Sequence, residues 1–174
     1  KMGKFEIIEV AFDAPDTSVE LVGYLSIPPA DKLKSRLPAL VILLHQANES
    51  SESWNTFRDE LLQSGHAVFA MDLRGYGLST FDLKANRLRP KNTFYVGEST
   101  KFPEDIAFLL GKAIEVHGNK FDTTRLAVIG ASVGEERSFG AIKGQVVAGE
   151  MTYFRMSTDD TMGRIKSYVG EGEF

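Results

Sequence analysis

Apolar side chains fall into three kinds of run along this chain, and each kind predicts a different element. Residues 5–12 (FEIIEVAF) and 20–27 (ELVGYLSI) alternate apolar with polar positions, the period of a strand with one covered face. The intervening DAPDTSV supplies the Pro, Asp and Ser of a turn, so the pair predicts an N-terminal antiparallel hairpin. Residues 37–45 (LPALVILLH), 66–74 (HAVFAMDLR) and 125–130 (RLAVIG) are instead continuous apolar runs, the pattern of strands covered on both faces. Residues 52–64 place Trp54, Phe57, Leu61 and Leu62 at helical spacing, with Gly65 as a stop. A second helix opens at Pro103, carries Ile106, Leu109, Leu110, Ala113 and Ile114 on one stripe, and stops at Gly118-Asn119. Strand, helix, strand, repeated, predicts an α/β fold: a mostly parallel sheet with flanking helices on both faces. Residues 81–99 hold no steady period and read as loop.

Past Gly134 the pattern changes. Residues 135–149 contain Gly140, Gly144 and Gly149, each costing an interior helix about 1 kcal/mol. Residues 151–158 and 164–170 alternate on either side of DDTMG, which predicts a C-terminal β-hairpin. The expected organisation is a core over residues 1–135 and a divergent segment over 136–174 within the same compact body, a size that suits one domain.

Composition narrows the function classes. With 20 Lys and Arg against 24 Asp and Glu, the net charge is −4, and no basic cluster is dense enough to track a phosphate backbone. Nucleic acid is not an expected partner. The absence of cysteine removes disulfides and thiolate metal sites, and neither a cofactor nor a metal site is expected. No apolar run is long enough for a membrane span, so no membrane partner and a cytoplasmic location are expected.

One stretch carries chemistry. Gly130-Ala131-Ser132-Val133-Gly134 is a G-x-S-x-G pattern set directly after a buried strand, where a sharp turn thrusts the serine hydroxyl out at the sheet's C-terminal edge. Such a turn leaves no room for a Cβ at the positions on either side, which Gly130 and Gly134 satisfy. The alternative is a glycine-rich turn whose serine only caps the next segment. A nucleophilic serine also needs a base, and the histidines stand at 45, 66 and 117, all before Ser132. His66 begins a strand and His117 ends a helix, and both read as surface residues. Asp159 and Asp160 sit in a turn that favours Asp for local reasons, and Glu135 and Glu136 suit the start of a helix.

Three landmarks, VILLHQANESSESW at 41–54, MDLRGYGLST at 71–80 and LAVIGASVG at 126–134, make residues 5 to about 135 resemble the α/β-hydrolase fold, in particular its esterase and dienelactone-hydrolase-like members. The resemblance implies a serine hydrolase acting on a small carboxylic ester, with Ser132 as the catalytic nucleophile. It implies the backbone N–H groups of Gln46 and Val133 as the oxyanion hole, Gln46 standing where the family commonly has glycine after histidine. Asp72 and Arg74 correspond to structural residues, and His45 to a landmark of loop geometry that is also the one candidate base near Ser132. The family's own acid and histidine come later in the chain than the serine, so their absence implies weak or absent turnover. The tail TYFRMSTDDTMGRIKSYVGEGEF instead resembles the C-terminal part of L-fucose-isomerase-type proteins, which implies a chimera; no metal-ligand set accompanies it, so no isomerase activity is carried over. The competing reading is a non-catalytic, incomplete or chimeric scaffold that forms a homodimer through an exposed sheet edge.

Overall fold

The computed structural model describes residues 4–33, 35–90, 98–131 and, as backbone, 150–154. The elements in chain order are β1 (Glu6–Asp13), β2 (Glu20–Ile27), β3 (Ala39–Leu44), α1 (Asn55–Gln63), β4 (Ala67–Asp72), β5 (Phe81–Asp82), β6 (Arg87–Leu88), α2 (Phe102–His117), β7 (Asp122–Gly130) and β8 (Glu150–Phe154). Among the described residues, six strands form one sheet in the order β1-β2-β4-β3-β7-β8. β1 and β2 make the antiparallel hairpin, β2 meets β4 antiparallel, and β4, β3, β7 and β8 run parallel to one another.

The continuous apolar runs become the middle of the sheet because both of their faces are covered. Every residue of β3 and β4 is buried. Leu40, Ile42 and Leu44 pack with Phe69, Met71 and the α2 side chains Ile106, Leu109, Leu110 and Ala113. Val41 and Leu43 point the other way, into a core with Val68, Trp54, Phe57, Leu61 and Leu62. This period-two split places α1 on one face and α2 on the other. Burying Phe57, Leu61 and Leu62 contributes about 1.5–3 kcal/mol each, which ties a nine-residue helix to the sheet.

α1 ends where the sequence marks its stop. Gly65 takes φ +83°, the Gly65 N–H donates to the Leu62 carbonyl at 3.0 Å, and the His66 N–H donates to the Leu61 carbonyl at 3.0 Å, the paired bonds of a Schellman cap. Its start differs from the periodicity: residues 51–54 form a 3₁₀ turn before the α-helix begins at Asn55. Ser50 caps that turn, its hydroxyl accepting from the Glu52 N–H.

Three expectations are revised. Residues 81–99 are not featureless, because Phe81–Asp82 and Arg87–Leu88 form a two-stranded ribbon and Glu98–Lys101 a 3₁₀ turn. His66 is not a surface residue but buried at the foot of β4. Glu150–Phe154 adds to β7 in parallel as a sixth strand, where the alternating pattern suggested only the first arm of a hairpin; alternation reports one-sided covering and is silent about strand direction. The second arm, at 164–170, and the expected boundary at 135 lie outside the described residues.

Candidate active site

β3 and β7 are adjacent and parallel, with Leu44 opposite Gly130, and the Ala131 N–H donates to the Leu44 carbonyl at 3.0 Å as the last rung. The loop carrying Gln46 and the segment entering G-x-S-x-G therefore leave the same sheet edge side by side, at the C-terminal ends of parallel strands. Ser132 and Val133 lie outside the described residues, as do Glu135, Glu136, Asp159 and Asp160.

The loop after β3 is held by the end of β4 and the segment that follows it. His45 is fully buried; its Nδ1 donates to the Gln46 carbonyl at 2.7 Å, and its Nε2 accepts from the Leu73 N–H at 3.0 Å. Asp72 receives the Ser51 N–H on Oδ1 at 2.8 Å and the Leu78 N–H on Oδ2 at 2.9 Å. Tyr76, whose ring meets the His45 ring edge-on at 5.3 Å, bonds through its hydroxyl to the Asn48 backbone. Asn48 sits at φ +66°, a left-handed conformation that asparagine tolerates better than most side chains. Gln46 itself is half-buried, and its carbonyl also accepts from Glu49 N–H at 3.3 Å.

These contacts bear on the question of the base. Both ring nitrogens of His45 are committed to backbone groups, and burial pushes its pKa below 6.5, with Gln46, Asp72 and Glu49 opposing. The Nδ1–H is given to the Gln46 carbonyl and the one lone pair, on Nε2, to the Leu73 N–H. His66 stands at the opposite end of β4 from this edge, and His117 ends α2.

Beneath the loop after β4 lies a buried ion network. Arg74 Nε and one terminal nitrogen grip Asp105 at 2.8 and 2.7 Å, while the other terminal nitrogen reaches Asp16 at 2.7 Å and the Ser18 hydroxyl at 2.8 Å. Arg74 and Asp105 side chains are each only 1 % exposed. Such a fork satisfies the guanidinium's donors and fixes the loop against α2 and the β1–β2 turn. Burial works against the Arg74 charge, but Asp105 and Asp16 outweigh it and hold the guanidinium more basic than usual. Glu98 lies 4.0 Å from Arg74 and 2.8 Å from Arg89, extending the network to the β5–β6 ribbon through Asp82. Asp72 and Arg74 thus serve geometry, in keeping with the structural role their motif implies. Tyr76 and Asp105 were missed: Tyr76 reads as an ordinary loop aromatic, and Asp105 as a helix-start acid.

A cleft of about 350 Å³ opens on the α1 face over β2 and β4, lined by Ile7, Tyr24, Ala70, Leu78 and the polar rim Glu52 and Arg58. Burial, reinforced by Asp72, Glu9 and Glu52, pushes the Tyr24 hydroxyl pKa up to about 12, so its proton stays on at physiological pH. Two strand spacings, about 10 Å, separate β4 from β7, so this cleft lies beside the β3–β7 edge and not on it.

The fold is that of the α/β-hydrolases. The chain is similar to an open-form lipase (TM-score 0.63, 15% identity, 85% of this chain and 44% of that one). It is similar also to a thermostable carboxyl esterase from Bacillus coagulans (0.61, 16%, 99% and 53%) and to a bacterial heroin esterase (0.58, 20%, 86% and 44%). The chain spans about half the length of these structures. A model of the L-fucose isomerase C-terminal domain matches residues 91–174, reaching further toward the N-terminus than the tail that carries the sequence resemblance. No curated protein matches the chain. Within that matched range, β7 pairs with β3, and α2 fills the core against β2 and β4. Among the described residues no helix is long and apolar enough to cross a membrane.

Proposed function

We propose that the chain is a serine ester hydrolase in design, with Ser132 as nucleophile and the Gln46 and Val133 N–H groups as oxyanion donors, acting on a small carboxylic ester. The observation that supports this most is the β3–β7 register, which starts the Gln46 loop and the G-x-S-x-G segment from neighbouring points on one edge. Amide hydrogens facing a developing oxyanion are typically worth roughly 3 to 4 kcal/mol each. That stabilisation operates without a base, so slow acyl transfer survives the loss of the rest of a triad. With His45 engaged by backbone, turnover is weak. Hydrolysis of p-nitrophenyl acetate, compared with Ser132→Ala, tests the reading: a slow Ser132-dependent rate supports it, and equal rates from the two proteins refute it.

The second reading, a non-catalytic scaffold, is favoured by the engagement of both His45 ring nitrogens by backbone. The β1 edge weighs against self-association, because Glu9 and Asp13 are exposed there and repel a second copy in antiparallel register. Sedimentation equilibrium separates the readings, since a stable dimer favours the scaffold.

A further inference from the structure

We propose that His45 is an acid-sensitive latch, tying the loop after β3 to the segment after β4 and releasing it on taking up a proton. The latch stands on contacts among described residues alone and does not depend on the hydrolase reading. Because Nδ1 faces a carbonyl oxygen, the hydrogen of the neutral ring sits there, leaving the Nε2 lone pair for the Leu73 N–H. A proton added to Nε2 sets two N–H donors against each other across 3.0 Å, and the bond between the loops is lost.

The groups that face the ring decide how it responds. Asp72, at the end of β4, and Glu49, in the ring's own loop, favour the charged form, while the Tyr76 ring covers it edge-on from the segment after β4. Burial disfavours the charge and is the largest influence, so release falls on the acid side of 6.5. The latch is therefore fully closed above pH 6.5 and is lost as pH falls through the ring's lower folded value. Release is local, because Asp72 still holds Ser51 and Tyr76 still holds Asn48. The part that loosens is the short stretch around Gln46, while the rest of the sheet edge stays in place.

Hydrogen exchange of the Leu73 amide in the whole chain, corrected for intrinsic rates and followed from pH 7.5 to 4.5, tests this directly. The expected result is protection that falls by up to about tenfold per pH unit below 6.5, while the β3 amide of Ile42 stays within about twofold. Ring nitrogen shifts should report the Nδ1–H tautomer at pH 7.5. In His45→Gln the side-chain oxygen still accepts the Leu73 N–H but cannot titrate, so protection becomes flat with pH. If that variant does not fold, the wild-type comparison of Leu73 with Ile42 decides alone. Leu73 tracking Ile42 throughout, or a pH-dependent fall persisting in His45→Gln, would each overturn the latch. None of these readouts involves Ser132, so a failed ester assay leaves them unaffected.

Discussion

Replacing Arg74 with Met removes a cation from a place where water cannot replace it. The side chain is 1 % exposed, and so is its bidentate partner Asp105, whereas Asp16 is 29 % exposed and regains solvent readily. The cost therefore concentrates on Asp105, left as a buried carboxylate without its counter-ion. Breaking one partner of such a pair costs about 3–5 kcal/mol, a large share of the roughly 5–15 kcal/mol that holds a typical domain together. Two signatures separate this from a packing defect. Burial pushes the Asp105 carboxyl up, and without Arg74 nothing opposes it, so the variant's Asp105 takes a proton in the folded state and the deficit shrinks as pH falls from 7 toward 4. Arg74→Met with Asp105→Leu, which removes both charges, should recover most of the loss. Urea titration followed by Trp54 fluorescence at pH 7 and pH 4.5 provides the assay. A loss below about 1 kcal/mol, or a double variant no better than the single one, would refute this reasoning.

Three further outcomes are expected from the geometry. In Gly77→Ala the new Cβ meets the Asp72 carboxylate at a residue held at φ +52°, so stability should drop by about 1–3 kcal/mol and the Ser51 and Leu78 amides should lose exchange protection together. Gly23→Ala drives its Cβ to 2.7 Å from the Phe69 ring and 3.2 Å from Leu109, overpacking the α2 face by about 1–3 kcal/mol in calorimetry. The Asp122 carboxyl is pulled down to about 2 by Thr124 and Arg125; its contribution is complete above pH 3.8 and is lost as pH falls toward 2, so Asp122→Asn should show a flatter urea midpoint between pH 4 and 2.

The sheet was legible because its information is periodic. β3 and β4 announce themselves by unbroken apolar runs, and α1 and α2 by stripes of which Phe57, Leu61, Leu62, Ile106, Leu109, Leu110 and Ala113 are buried while Ile114 is only partly covered. Strand order was not written in any such pattern: that β4 lies between β2 and β3 follows from pairing, which leaves no local trace. The segment 45–54 was legible as a landmark but not as a mechanism, since the bonds from His45 to Leu73 and from Asp72 to Ser51 join residues 28 and 21 positions apart. The same distance in sequence hid Asp105 from Arg74, 31 positions away. His66 was misjudged because its position at a strand's foot says nothing about what the neighbouring elements lay over it.

The proposed chemistry requires a hydroxyl after β7 that is competent beside the Gln46 loop yet lacks a histidine base. Incubating the chain with a fluorophosphonate and mapping adducts by peptide mass spectrometry measures this. Slow modification confined to Ser132 is expected, accelerating with rising pH and with no plateau near neutrality. Adducts scattered over several serines, or no Ser132 adduct even at high pH, would contradict it.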